Sequence, residues 1–263
     1  MNKWVEKSIE IANAPGYLDR LTEIYPAIPT KRAPLPKAVK DKVEQLILHE
    51  DFSEAIKLLV SLKGHPFPIE HPYVSLLRAM PELFEQNAKV VEQIGQILES
   101  LGPDGVIRGC ERPPDLNRQM GPRFKNWLKK YFAPKGYSFL SEYSFSSSKG
   151  KAFLDVGDTA ITRYANRNLG CKITRGRDFL VRVGNKFVIG EARFLSTGGG
   201  SQSRDVRETI NFAKDKIGNV IKVAVLDGMA WFEKDMLSVI QSLKEDEPGL
   251  SALLLEEFLE GLR

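Results

Sequence analysis

Apolar residues in the first hundred positions of the chain recur every three to four residues, which is the spacing of one face of an α-helix. The pattern is clearest over residues 46–62, and proline-rich segments interrupt it on both sides. It ends at Gly102-Pro103, a pair that commonly stops a helix. The pattern predicts an all-helical N-terminal region over residues 1–103, followed by a loop over residues 103–117.

A basic amphipathic helix is predicted directly after this loop. Its apolar positions are Met120, Phe124, Trp127, Leu128, Tyr131 and Phe132. Its basic positions are Arg118, Arg123, Lys125, Lys129 and Lys130. Such a helix ordinarily packs its apolar side on the core and leaves its charges in solvent, and a basic surface for a polyanion is the alternative.

After Gly136 the pattern changes to the short apolar runs and two-residue alternation that are typical of β-strands. Strands are predicted over residues 137–145, 177–183, 186–195 and 220–226, with helices over residues 158–168 and 203–216. Gly184-Asn185 separates two of the strands and is a two-residue hairpin signal. The order β-α-β-β-α-β predicts an α/β (α+β) domain over residues 104–245, in which helices flank a mixed β-sheet.

Two more helices are predicted after the last strand, over residues 234–244 and 250–262. The second occupies most of a C-terminal segment, residues 246–263, and is rich in leucine. These leucines would either pack within the chain or form a dimer contact.

The composition narrows the chemistry that the chain can perform. With 263 residues, 42% of them hydrophobic, it can bury a core, and its net charge of +4 permits a polyanionic partner without indicating one. Two cysteines exclude a disulfide framework and a four-cysteine zinc site. All three histidines lie in the first third, which excludes a histidine-dependent triad built in the C-terminal half. No apolar run is long enough to span a bilayer, which predicts a cytoplasmic protein without a membrane partner.

Charged residues interrupt the apolar face of one predicted strand. Within residues 186–195, Glu191 and Arg193 share a face with apolar side chains, because side chains alternate along a strand. Asp178 begins the partner strand of the hairpin, close enough to approach the same region. Charged groups in such a place are expected to be paired with one another or to coordinate a metal ion.

A structural ion pair of Arg193 with Glu191 or Asp178 is one explanation. A metal site explains the residue types better, because two carboxylates from adjacent strands and a main-chain carbonyl are the oxygen ligands that Mg²⁺ prefers. Arg193 would then lie beside the attacking water or the phosphorus atom, an arrangement for phosphodiester hydrolysis. Asp155 and Asp158 are weaker candidates for a further acid, and Asp158 is more simply a helix N-cap.

The Arg-Asp pair at 177–178 and the segment Val-Ile-Gly-Glu-Ala-Arg at 188–193 together resemble the signature of PD-(D/E)xK nucleases. With a glycine run at 198–200 and the basic helix upstream, the chain resembles type II restriction endonucleases over about residues 111–228. The resemblance implies a restriction-endonuclease-like fold and Mg²⁺-dependent, sequence-specific hydrolysis of phosphodiester bonds in double-stranded DNA. A structure- or modification-dependent nuclease of the same fold and a non-catalytic DNA-binding module are the alternatives.

The resemblance also implies roles for individual residues. Asp178 and Glu191 would hold Mg²⁺, Glu111 would add a third carboxylate, and Arg193 would take the place of the family's usual lysine. Arginine is effectively never deprotonated. Arg193 would therefore orient water and stabilise charge, but it would not act as a general base.

The residues implied to contact DNA form two groups. Those after the strand predicted over residues 186–195 are Ser201, Gln202, Ser203 and Arg204, and those on the basic helix are Arg118, Arg123 and Lys125. Glutamine is able to form two hydrogen bonds with adenine, and arginine with guanine. The residues of the basic helix would contact phosphates. A helix-capping turn at Ser203 is the alternative for the first group. The resemblance further implies a homodimer that cuts a palindromic site on both strands, with a cognate DNA methyltransferase as a separate protein.

Overall fold

The structure is a computed structural model that describes residues 2–28, 31–198, 200–215 and 217–262, with the backbone alone at residues 117, 118 and 200–202. It divides into two compact units. Residues 1–27 and 115–263 form the sheet unit, and residues 28–114 form the helical unit. The predicted all-helical region, residues 1–103, contains only helices among its described elements and contributes to both units.

The helices are α1 (Lys3–Asn13), α2 (Tyr17–Ile24), α3 (Lys37–Leu48), α4 (Phe52–Ser61), α5 (Val74–Ala79), α6 (Leu83–Gln86), α7 (Ala88–Glu111), α8 (Leu116–Phe132), α9 (Glu142–Ser147), α10 (Asp158–Asn168), α11 (Gly200–Lys214), α12 (Lys234–Ile240) and α13 (Leu255–Glu260). The strands are β1 (Ser138–Leu140), β2 (Ala152–Leu154), β3 (Phe179–Val183), β4 (Lys186–Leu195), β5 (Val220–Gly228) and β6 (Gly249–Leu250). In the described part of the chain, every helix is too short or too polar to cross a membrane.

The helical unit comprises α3 to α7 and has an apolar core of its own. Its longest helix, α7, consists of two segments that join at Gly102, where the backbone φ is 65°. Glycine adopts this left-handed conformation without steric cost, and Pro103 then starts the second segment, where a missing N–H is tolerated. The loop predicted over residues 103–117 is therefore wrong for residues 103–111, because the proline that ends one helix also begins the next.

The sheet unit contains a six-stranded sheet with the order β1-β2-β3-β4-β5-β6. The pairs β2–β3 and β3–β4 are antiparallel, and the pairs β1–β2, β4–β5 and β5–β6 are parallel. Gly184-Asn185 closes the β3–β4 hairpin, and Gly184 has the positive φ that such a tight turn requires. The prediction of an α/β fold with a mixed sheet flanked by helices is confirmed.

The central strand β4 sends alternate side chains into two separate apolar cores. Val188 belongs to the core that α8 covers with Phe124, whereas Ile189 belongs to a second core, which contains Ile161 of α10. Because side chains alternate along a strand, Glu191 points to the same side of β4 as Ile189. The sheet thus carries a carboxylate to the side of β4 that faces this second core.

Two predicted elements are wrong in part. Strand β1 ends at Leu140, and α9 begins at Glu142, so the strand predicted over residues 137–145 covers a helix as well. The helix predicted over residues 250–262 begins only at Leu255, because Leu250 pairs with Val225 as part of β6. Apolar side chains of this C-terminal segment are buried in the core of the sheet unit, among them Leu250, Leu254 and Phe258. These side chains therefore pack within the chain, which is one of the two alternatives predicted for the segment.

Close packing in β4 requires glycine at position 190. A Cβ atom there would lie 2.1 Å from Cζ of Phe179. We expect Gly190→Ala to lower the free energy of unfolding by about 1–3 kcal/mol, measured by urea denaturation, because the ring and the backbone must shift. Gly150→Ala, where no atom lies within 4 Å, is the matched control and should change it by less than about 0.5 kcal/mol. Equal effects of the two substitutions would contradict the packing argument.

Candidate active site

The β3–β4 hairpin places Asp178 and Glu191, the residues of the two predicted carboxylates, opposite each other across the two paired strands. Its register pairs Phe179 with Gly190, so Asp178, directly before β3, meets β4 beside Glu191. The amide of Asp178 donates a hydrogen bond to the Gly190 carbonyl, with an N···O distance of 3.1 Å. Oδ2 of Asp178 accepts a hydrogen bond of 2.8 Å from the amide of Ala192. These contacts fix the Asp178 carboxylate against the residue that follows Glu191.

Glu191 is buried and has two guanidinium partners. Its side chain is 7% exposed. Its Oε2 atom accepts a hydrogen bond of 2.5 Å from Nη1 of Arg177, and its Oε1 atom accepts one from Nη2 of Arg193. Glu191 and Arg193 thus form an ion pair, as one of the two explanations from the sequence predicts. The ion pair confirms that both side chains share one face of β4.

The two arginines differ in their surroundings. The side chain of Arg177 is 10% exposed, and its guanidinium carbon lies 4.1 Å from the centroid of the Phe212 ring in α11. The side chain of Arg193 is 43% exposed. Burial lowers the pKa of Arg177, an effect that the negative charge of Glu191 opposes. Among the described residues Nε of Arg177 finds no hydrogen-bond partner. The side chain is held by the Phe212 ring, by the ion pair with Glu191 and by a 3.2 Å hydrogen bond that Nη1 donates to the Gly176 carbonyl.

Helix α8 approaches the site through a residue without a side chain. A Cβ atom built on Gly121 would lie 4.0 Å from Oδ1 of Asp178. Lys125 follows about one turn later, and burial lowers its pKa while the negative charge of Asp178 opposes the effect. A partly desolvated lysine therefore lies within electrostatic reach of the carboxylate.

The weaker acidic candidates are paired with the same helix. Lys125 forms an ion pair with Asp158, and Lys129 forms one with Asp155 at 2.6 Å. Gly157 is the N-cap of α10, so the prediction of a cap at Asp158 is wrong by one residue. The basic face of α8 is thus engaged within the sheet unit at these two positions.

The residues predicted to contact DNA lie in several places. The side chains of Ser201, Gln202 and Arg118 lie outside the described part of the chain. Helix α11 begins at Gly200, so Ser203 and Arg204 lie inside it and the cap predicted at Ser203 is wrong. Arg204 pairs with Glu208 at 3.2 Å, and 76% of its side chain is exposed. Arg123 of α8 donates hydrogen bonds to the Pro26 carbonyl and to Gln119.

Glu111 ends α7 in the helical unit. Its Oε1 atom forms an ion pair of 2.7 Å with Nζ of Lys40 and accepts a 2.7 Å hydrogen bond from the Leu35 amide. The hydrogen bond from Lys40 holds the pKa of the Glu111 carboxyl below its ordinary value. A role of Glu111 as a third metal ligand stays a prediction.

A second buried carboxylate, Asp227 in β5, was not singled out from the sequence. It accepts hydrogen bonds from the hydroxyl of Tyr25 at 3.0 Å, the hydroxyl of Ser251 at 2.6 Å and the amide of Ala252 at 3.2 Å. Burial raises the pKa of Asp227 to about 7, although these hydrogen bonds act in the opposite direction. Asp227 thus links β5 to the residue that follows α2 and to the C-terminal segment.

This pKa predicts a dependence of stability on pH. Because it lies above the ordinary value of 3.8, the folded chain keeps a proton that the unfolded chain releases between the two values. The proton favours folding at low pH, and this stabilisation, about 4 kcal/mol in full, is lost as the pH rises to about 7. Asp227→Asn cannot titrate, so the free energy of unfolding of the wild type minus that of the variant should fall by about this amount between about pH 4 and pH 8. A constant difference in urea titrations across this range would contradict the assignment.

The mixed sheet and the acidic hairpin are consistent with a restriction-endonuclease-like nuclease. The family model of the Tsp45I type II restriction enzyme matches residues 2–262, nearly the whole chain, and the chain belongs to this family. The protein is therefore a type II restriction endonuclease, a site-specific hydrolase whose substrate is double-stranded DNA. No curated protein and no solved structure matches the chain.

Proposed function

We propose that this endonuclease hydrolyses DNA in a Mg²⁺-dependent reaction at Asp178, Glu191 and Arg193. The observation that carries the proposal is that the Asp178 carboxylate is bound to Ala192, the residue between Glu191 and Arg193. Oδ2 of Asp178 accepts a hydrogen bond from the Ala192 amide, and Glu191 and Arg193 are the residues directly before and after Ala192. Within this short stretch the chain offers anionic oxygen atoms and a cation, which are the groups that phosphodiester hydrolysis needs.

The donor atoms fit magnesium. Mg²⁺ prefers carboxylate and carbonyl oxygens and usually keeps several waters, so one or two carboxylates suffice. The amide and carbonyl of a residue in an extended strand point to the same side, so the Ala192 carbonyl faces the side on which its amide binds Asp178. Among the described residues, no three or more His, Cys, Asp or Glu side chains lie together as a metal-binding group. Asp178 and Glu191 would hold the ion, which when bound would polarise the phosphate and lower the pKa of a bound water.

Arg193 supplies the positive charge of the centre. Its exposed guanidinium lies on the same face of β4 as Glu191, where it would orient the attacking water and stabilise the charge that develops on the phosphate. Because arginine stays protonated, the proton of the attacking water must leave by another route. Solvent or a phosphate oxygen would accept it.

DNA binding is assigned to two groups of residues on the helices α11 and α8. The residues proposed to read bases follow Gly200, the first residue of α11, and are Ser201, Gln202, Ser203 and Arg204. Those proposed to contact phosphates lie on α8 and are Arg118, Arg123 and Lys125. The high exposure of Arg204 supports the first group. The closeness of α8 to Asp178 at Gly121 supports the second.

We further infer a homodimer, because two centres related by a twofold axis suit the cutting of both strands of a palindromic site. A cognate DNA methyltransferase that protects the host DNA would act as a separate protein. Both would act in the cytoplasm.

The test is incubation of the protein with plasmid DNA in Mg²⁺ and, in parallel, in EDTA. Discrete fragments that form only with Mg²⁺ are the expected result. Cleavage that persists in EDTA would overturn the metal dependence. A gel shift without cleavage in Mg²⁺ would indicate a non-catalytic module, and fragments formed only from modified or non-duplex DNA would indicate the related nuclease class.

A further inference from the structure

Glu191 divides its two carboxylate oxygens between two unlike arginines. Oε2 binds Arg177, which is buried and packed on the ring of Phe212, and Oε1 binds Arg193, which is 43% exposed. An exposed guanidinium is able to turn to another anion, since solvent stabilises its charge during the exchange. A buried guanidinium that lost its carboxylate would be an uncompensated charge in the interior, which is strongly unfavourable.

The charged side chains at residues 177, 178, 191 and 193 balance one another in the polypeptide alone, and Lys125, the cation near Asp178, is paired separately with Asp158. Arg177 and Arg193 are positive, and Asp178 and Glu191 are negative, so the four side chains sum to zero. A divalent cation gains little from a neutral group, and it must compete with Arg193 for Oε1. If Arg193 turns to a phosphate, Oε1 is released and the remaining three side chains carry a net charge of −1, which attracts a cation.

We propose that Arg177 is a positioning residue that holds Oε2 of Glu191 throughout, whereas Arg193 is an exchangeable partner that leaves Oε1 for a DNA phosphate. Metal binding at Glu191 is then coupled to DNA binding. The inference rests on the metal site proposed above. By linkage, a divalent cation strengthens DNA binding by the same factor by which DNA strengthens cation binding.

The first experiment measures Mn²⁺ binding to the full-length, DNA-free protein by electron paramagnetic resonance. We expect Arg193→Ala to bind Mn²⁺ at least tenfold more tightly than the wild type, because the competitor for Oε1 is gone. Arg167→Ala is the matched control, since it also removes an exposed arginine that faces a glutamate, Glu142 at 4.0 Å, in the sheet unit. Its Mn²⁺ affinity should equal that of the wild type, and equal affinities of all three proteins would overturn the exchange.

The role of Arg177 needs a substitution that keeps the charge. Arg177→Lys retains a cation but loses the planar guanidinium that packs on Phe212. In the Arg193→Ala background it should weaken Mn²⁺ binding at least fivefold while circular dichroism shows a folded chain. Unchanged Mn²⁺ binding by the folded double variant would overturn the positioning role.

The coupling is also tested by measuring how a divalent cation changes DNA binding. Ca²⁺ should tighten binding of the wild type to a labelled fragment that it cuts in Mg²⁺, by tenfold or more in fluorescence anisotropy. No effect of Ca²⁺ would overturn the coupling.

Mn²⁺ binding to an Asp178→Asn variant distinguishes failure of the arginine exchange from failure of the metal site. If the substitution abolishes Mn²⁺ binding while Arg193→Ala leaves binding unchanged, the metal site stands and the exchange fails. If Mn²⁺ binding is indifferent to Asp178→Asn, the metal site itself fails.

Discussion

Asp178→Asn is expected to lower the rate of DNA cleavage by about a thousandfold or more. The substitution removes one of two carboxylates assigned to the metal, and the charge stabilisation that a metal supplies amounts to several kcal/mol. The fold should survive, because the asparagine oxygen is able to accept the hydrogen bond that the Ala192 amide donates to Oδ2. Single-turnover cleavage in Mg²⁺ with excess protein measures the effect.

The control for this substitution is Asp41→Asn, which makes the same chemical change at an exposed position of α3 in the helical unit. Its cleavage rate should stay within about twofold of the wild type, as expected for a surface site. A folded Asp178→Asn protein that cleaves at the wild-type rate would remove Asp178 from the centre.

Arg193→Ala is expected to lower cleavage by roughly a hundred- to a thousandfold, the usual loss when one group that stabilises transition-state charge is removed. DNA binding should remain largely intact, because the groups proposed to read bases and to contact phosphates lie on α11 and α8. Arg193→Lys should retain part of the activity, since lysine is the residue usual in the family that the sequence resembles. Cleavage rates and melting temperatures are measured on the same preparations.

A purely structural Arg193 predicts a different outcome. Because Arg193 pairs with a buried carboxylate, both substitutions would then lower the melting temperature, and residual activity would follow the folded fraction. Full cleavage by a folded Arg193→Ala protein would contradict the catalytic role outright.

Much of the site geometry follows from local sequence patterns. Strand alternation predicts that Glu191 and Arg193 share a face, and their ion pair in β4 confirms it. The hairpin signal at Gly184-Asn185 predicts the pairing of β3 with β4, which brings Asp178 to Ala192. These features depend on residues that are near one another in the chain.

The features that the sequence did not reveal depend on distant parts of the chain. Arg177 directly precedes Asp178, yet its burial depends on Phe212 from a later helix, which periodicity does not reveal. The signal available in the sequence was an arginine directly before the candidate acid Asp178, at the start of an apolar strand. Asp227 likewise acquires its partners from distant segments: Tyr25 directly follows α2, and Ser251 follows β6.

Local patterns also mislead where one residue suits two structures. Pro103 is typical of a helix end and equally of a first helical turn, so the second segment of α7 was predicted as a loop. Leu250 continues a helical spacing of leucines, but pairing with Val225 makes it part of β6. In the second case a tertiary contact overrides local propensity.

The most direct test of the central claim locates the metal on the polypeptide. Fe²⁺ bound in place of Mg²⁺, with ascorbate and peroxide, generates radicals that cut the backbone next to the ion. In the presence of plasmid DNA we expect cuts beside Asp178 and beside Glu191, and excess Mg²⁺ should suppress them. Cuts confined to other segments, with both of these positions intact, would contradict the assignment of the centre to the β3–β4 hairpin.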